Sequence, residues 1–193
     1  MYHLESLGHT KREKTGATRV REKLPMIHPL VSQLRFTRHE WLRALRGVDE
    51  ADGRVRLEPM NSISWIVGHL AWHEQWYWLR YAQAIDLAPQ LDALVGSGRP
   101  ASTPALGEML SAWREITRAA DPYLDTLTSE MLQERFSRKG RPMRESIGTL
   151  MLRLTYHYWF HTGEVLAIRQ LLGHRELPEF VGDIGAKGPY RPE

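Results

Sequence analysis

Leu150 to Leu172 reads LMLRLTYHYWFHTGEVLAIRQLL, and this stretch decides the fold. Leu150, Leu154, His157, His161, Val165, Ile168 and Leu172 recur at steps of four, three, four, four, three and four. That is the period of one face of an α-helix. The spacing predicts a helix from about Arg144 to Leu172, stopped by Gly173, a residue suited to the position just past a C-cap. Its apolar stripe carries two imidazoles at its centre. Unpaired imidazoles are costly to bury, and two neutral histidines one turn apart can bind one divalent transition metal. Two core histidines hydrogen-bonded to backbone or carboxylates are the alternative, and spacing alone leaves both open.

Working outward, a second pair with the same spacing lies in Gly68-His69-Leu70-Ala71-Trp72-His73. Its helix is predicted from an N-cap at Asn61 or Ser62 to about Gln83. Ile63, Ile66, Val67, Leu70, Tyr77 and Tyr81 supply a wide apolar face. Four of the seven tryptophans fall here, an aromatic load that calls for burial or for lining a cavity or interface. One of His69 and His73 would complete a three-histidine metal set with an open position for water or substrate. Both would close a tetrahedral shell and favour a structural role. Gly68 permits close helix packing beside His69.

Glu164 follows His161 by three residues and His157 by seven, so it shares their face. It is a candidate for fourth ligand, for acceptor to a ligand's outer nitrogen, or for general base. A solvated carboxylate paired with Arg153 or Arg169 is the plainer expectation. His73, beside Glu74, is the second candidate for proton transfer. His3, His9, His28, His39 and His174 fall near termini or on outward faces, as solvent residues or caps.

Two more helices are predicted. One runs from about His28 to Gly47 on Leu30, Leu34, Trp41 and Leu45, followed by a polar loop to Pro59. The other starts after Thr103, with Pro104 at the first helical position, and Pro122 is expected to kink or divide it. Residues 84–103 are expected as loop with a short helical turn, and Arg135 to Met143 as a basic turn or hairpin. Four long helices with little strand signal imply an all-α four-helix bundle with short irregular or extended connections. Such bundles build metal sites from side chains on facing helices.

The chain has 193 residues, with 42% hydrophobic and 25% charged, the profile of one globular domain. Residues 1–25 are expected as a basic flexible leader, 26–181 as the helical domain and 182–193 as an irregular tail. No apolar run reaches bilayer-spanning length, and the N-terminus has no signal-like apolar core. A cytoplasmic protein with no membrane partner is expected. The net charge of +3 comes without aromatic interleaving or a reading helix, so no specific nucleic-acid partner is expected. There is no cysteine, which excludes disulfides, thiolate ligands and a cysteine nucleophile. Any thiol chemistry needs a thiol from outside.

Asn61-Ser62-Ile63-Ser64-Trp65-Ile66-Val67-Gly68-His69-Leu70 resembles the second-helix signature of the DinB/YfiT-like family of metal-dependent enzymes. His157-Tyr158-Trp159-Phe160-His161-Thr162-Gly163-Glu164, with Ile168-Arg169-Gln170-Leu171-Leu172-Gly173, resembles its fourth-helix signature. Leu177-Pro178-Glu179-Phe180 is similar to its tail, so the resemblance covers about residues 28–181. It implies a four-helix bundle and a divalent metal held by His69, His157 and His161, with His73 near the site. It also implies thiol-dependent transferase or isomerase chemistry with a low-molecular-weight thiol such as bacillithiol or mycothiol. A related domain supplies the iron ligands of ergothioneine-forming sulfoxide synthases, whose second domain has no room here. The expected function is S-transfer on a small molecule. The alternatives are a metal-dependent hydrolase with Glu164 or His73 as proton acceptor, and a non-enzymatic, stress-associated metal-binding protein. Zinc or nickel is expected first, with iron and manganese also suited to imidazole ligands. A homodimer is expected.

Overall fold

The computed structural model describes residues 26–179 and 181–192. The expected leader 1–25, and Phe180 of the tail motif, lie outside these residues. In chain order the elements are α1 (Pro29–Ala44), α2 (Glu50–Arg54) and α3 (Ile63–Glu74), which continues as a π-helical segment (Gln75–Tyr81). There follow α4 (Leu91–Leu94), α5 (Leu106–Leu124), α6 (Ser129–Gln133), β1 (Ser137–Arg138), β2 (Arg141–Pro142), α7 (Ile147–Leu171) and α8 (Ile184–Lys187). Among the described residues the fold is all-helical apart from one two-residue-per-strand hairpin. Chiefly, α3 packs on α5 and α1 on α7, while α3 also meets α7. That last contact brings the two histidine pairs together.

Local chemistry accounts for the ends. His28 caps α1 by accepting from Leu30 N through Nδ1 at 3.1 Å, and Pro29 sits in the first turn, where its missing N–H costs nothing. Ser62 caps α3 through Trp65 N at 3.2 Å, and Ser146 caps α7 through Thr149 N at 3.2 Å. The hairpin turns on Lys139 and Gly140, both with positive φ, the conformation that two-residue hairpin loops require.

Several expectations need correction. The polar loop after α1 contains α2, capped by Asp49 accepting from Asp52 N at 2.8 Å. α5 begins at Leu106, not Pro104, because the Glu50 carboxylate of α2 accepts from Leu106 N at 3.0 Å and Gly107 N at 3.1 Å. Such a cap, supplied from elsewhere in the fold, leaves no local sequence trace. Pro122 does not divide α5; it lies in the last turn, where few later hydrogen bonds are disturbed. The second predicted helix is not uniformly α. From Gln75 its hydrogen bonds step to i+5, a local widening often found at functional sites. Gln75 is fully buried, and its amide accepts from Leu87 N and Ala88 N, both at 2.9 Å, tying the following loop to the π segment.

The core is contiguous. Val31, Leu34 and Trp41 from α1, Ile66 and Leu70 from α3, Ile116 from α5, and Leu154 and Val165 from α7 all belong to it. Gly68 faces α5 so closely that an added Cβ would lie 2.5 Å from Met109 Sδ and 3.1 Å from Val95 Cγ1. The small residue therefore sets the α3–α5 spacing immediately beside His69. No helix among the described residues is long and apolar enough to cross a membrane.

Candidate metal centre

α3 contributes His69 and α7 contributes His157 and His161. One ligand atom from each lies within 4.8 Å of the others, so the three form a set able to hold one metal ion. Among the described residues this is the set of that kind. The sequence-predicted ligands are thus the residues the fold brings together. His69 and His161 are buried, and His157 is half-buried.

The outer nitrogens of two rings are fixed. His69 Nδ1 lies 2.8 Å from Val95 O. A carbonyl oxygen only accepts, so Nδ1 carries the proton and Nε2 keeps its lone pair. His161 Nδ1 lies 2.7 Å from Glu164 Oε2, and by the same argument an ionised Glu164 leaves His161 Nε2 as the free donor atom. That nitrogen faces His157 Nε2 at 2.9 Å. Glu164 therefore stands behind His161 and orients it. Arg153 pairs with Glu145, and Arg169 binds Ala44 O and His174, so the plainer expectation of a Glu164–arginine surface pair is not met.

Burial keeps the His69 and His157 rings neutral. It lowers His69 to about 4, with the neighbouring His161 adding to the effect and the Val95 hydrogen bond opposing it. His157 falls to about 3, through burial and then the nearby His161 and His69. A metal ligand must be the unprotonated imidazole. Three imidazoles, two of them held by an acceptor on the outer nitrogen, suit a divalent transition metal, with nitrogen distances of ~2.0–2.1 Å for zinc.

His73 sits against this set without joining it. Its ring centroid is 4.5 Å from that of His157 and 4.7 Å from that of His69, edge-on to both. Burial, with His69, His157 and His161 close by, lowers its pKa to about 2. Aromatic walls complete the surroundings: Trp65 stacks on His69 at 4.5 Å and 19°, and Trp72 lies near-parallel to the same ring at 5.8 Å and 13°.

A cavity of about 680 Å³ opens over the histidines, lined by His69, His73, Tyr77, Arg153, Tyr156, His157 and Phe160 among others. Its volume lies in the range of small-molecule sites. Tyr156 and Phe160 are exposed at 64% and 70% and form an apolar rim. Tyr158, between His157 and His161 in the fourth-helix motif, is fully buried. It belongs to a polar network that composition and periodicity did not point to. Arg38 on α1 donates to both Glu74 carboxylate oxygens on α3 at 2.6 Å. Tyr158 Oη on α7 donates to Glu74 Oε1 at 2.8 Å and accepts from Trp113 Nε1 on α5 at 2.7 Å. The other contact missed by sequence reasoning is Val95, which acts through its backbone carbonyl and carried no side-chain signal.

No curated protein matches the chain. The family description that does match, over residues 33–165, is that of the DinB superfamily, and its span includes all three histidines of the set. With that span covering most of the chain, and with an all-helical fold that brings the histidines of α3 and α7 together, the protein belongs to the DinB superfamily.

Proposed function

We propose that this DinB-superfamily protein is a metal-dependent enzyme that joins an external low-molecular-weight thiol to a small apolar electrophile. The observation that carries this reading is the three-histidine set lying under a cavity of about 680 Å³. A divalent ion bound by His69, His157 and His161 supplies Lewis acidity, lowering the pKa of a thiol or water that reaches it. Three protein ligands leave a position for that group, as catalytic sites do. Since the chain has no cysteine, the thiol arrives with a cofactor. Leu152, Tyr156 and Phe160 offer the electrophile an apolar wall, while Arg153 is the cationic residue of the lining.

Hydrolysis is the alternative use of the same site, with His73 or Glu164 accepting a proton from water. Two observations favour the thiol. His73, with a pKa of about 2, is a weak base. Glu164 already accepts from His161 Nδ1. A nucleophile that is itself acidic needs less from either.

The test mixes metal-loaded protein with a low-molecular-weight thiol and a panel of electrophiles, beside esters and amides without thiol. Thiol-dependent consumption that disappears in His157→Ala supports the proposal. Thiol-independent hydrolysis that disappears in the same variant supports the alternative and overturns the transferase reading.

A further inference from the structure

A second cavity, of about 540 Å³, lies where the C-terminal ends of α1 and α7 meet. Arg43, Arg46, Arg169 and Arg175 line it against one carboxylate residue, Glu176. We propose that this cavity binds a phosphate group, either as the free ion or as the phosphomonoester of a small molecule.

Helix C-termini carry partial negative charge, and arginines there often do no more than cap carbonyls. Capping explains only part of this cluster. Arg169 donates through Nη1 to Ala44 O at 2.6 Å. Its Nε donates to His174 Nδ1 at 3.2 Å, and its Nη2 reaches Glu176 O at a long 3.4 Å. None of these partners is a carboxylate, yet Arg169 is only 2% exposed. Arg38, the other deeply buried arginine among the described residues, has the Glu74 carboxylate directly on it. An arginine buried without a directly bonded carboxylate is costly and gains strongly from an anion. His174, the partner of Arg169 Nε, has its other ring nitrogen 2.8 Å from Asp52 Oδ2. Gly47, at φ +83°, adds no side chain at the lining, and a Cβ there would lie 3.8 Å from Arg169 Nη2.

Arg46 and Arg175 are exposed, and neither side chain has an ion-pair or hydrogen-bond partner among the described residues. Arg43 is paired with Glu40 and turns Nη2 to Glu179 O at 3.4 Å. Two guanidinium groups without side-chain partners and the buried Arg169 line the same cavity, and guanidinium forks are the donors that phosphate oxygens accept best. Carboxylates offer fewer acceptors for so many donors.

The experiment is calorimetric titration of the metal-loaded full chain with inorganic phosphate in a chloride buffer. A nucleoside monophosphate is titrated in parallel. Wild type and His157→Ala are expected to bind one phosphate per chain with similar affinity, and Arg46→Gln/Arg175→Gln to bind at least tenfold more weakly with unchanged metal content. Tighter binding of the monophosphate assigns the site to an ester, and binding no tighter than phosphate assigns it to the free ion. Equal binding by wild type and the arginine double variant overturns the proposal. So does binding abolished by His157→Ala, which places phosphate on the metal, and so does the absence of a saturable signal.

Discussion

Tyr158 donates its phenol to Glu74 at 2.8 Å, and each of these residues directly follows a histidine at the metal site, His157 on α7 and His73 on α3. The hydrogen bond therefore joins the two helices immediately below the cluster. Burial and the charge of Glu74 hold the Tyr158 phenol well above its ordinary pKa, so it stays protonated and donates. Burial alone would lower the Arg38 pKa, but Glu74 raises it on balance, with smaller help from Tyr158 and Asp121. A fully satisfied buried network of this kind favours one register of its helices over others.

Breaking this network is expected to be costly. Tyr158→Phe leaves Trp113 Nε1 without its acceptor and Glu74 without a donor, a loss of about 1–3 kcal/mol. Glu74→Ala leaves Arg38 buried without its main counter-charge, a loss of about 3–5 kcal/mol. Urea unfolding of the metal-free proteins measures both. Equal, negligible losses would show that the network is incidental.

Gly68→Ala places a methyl group 2.5 Å from Met109 Sδ and 3.1 Å from Val95 Cγ1. Overpacking of this sort is expected to destabilise by about 1–3 kcal/mol. The displaced Val95 carbonyl should also loosen its hold on His69, so metal affinity falls together with stability. Unfolding midpoints with and without metal separate the two effects.

Glu164→Gln keeps the size of the side chain but removes the charge that the His161 ring donates to. Loss of an outer partner to a ligating histidine typically weakens metal binding by roughly 10–100-fold. Competition with a chromophoric chelator reads this directly. An unchanged affinity would remove Glu164 from the metal site's support.

Protons should act on the metal-free protein in a defined direction. His69 and His157 are lowered to about 4 and about 3 from an ordinary 6.5, chiefly by burial. Below about 6.5 the unfolded chain therefore takes up protons that the folded chain does not. Stability contributed by the neutral rings is complete above the ordinary value. It is lost progressively as the pH falls through it toward the folded values. Urea midpoints of the metal-free protein should drop between about pH 7 and pH 5. In His157→Ala the drop should be smaller, and an equal drop in the variant would assign the effect elsewhere.

Much of the site was legible because its residues sit on strong periodic signals. The α7 stripe placed His157 and His161 on one face, and Gly68 marked the close approach that carries His69 inward. The supporting contacts were hidden for physical reasons. Val95 acts through backbone, and Glu50 caps a helix 56 residues away in sequence. Arg38 stands among the arginines interleaved along α1, and no local pattern shows that it is buried while Arg46 is exposed. The π segment was also invisible, since Gln75–Tyr81 has the composition of an ordinary aromatic helix.

The central claim is that His69, His157 and His161 hold one divalent metal while His73 stands beside it. Elemental analysis of protein purified without a histidine tag tests this most directly. The account predicts about one transition-metal ion per chain in the wild type and in His73→Ala, as expected for a single three-histidine site. It predicts loss of that ion in His69→Ala, His157→Ala and His161→Ala. Unchanged metal content in the α7 variants, or loss confined to His73→Ala, would contradict it.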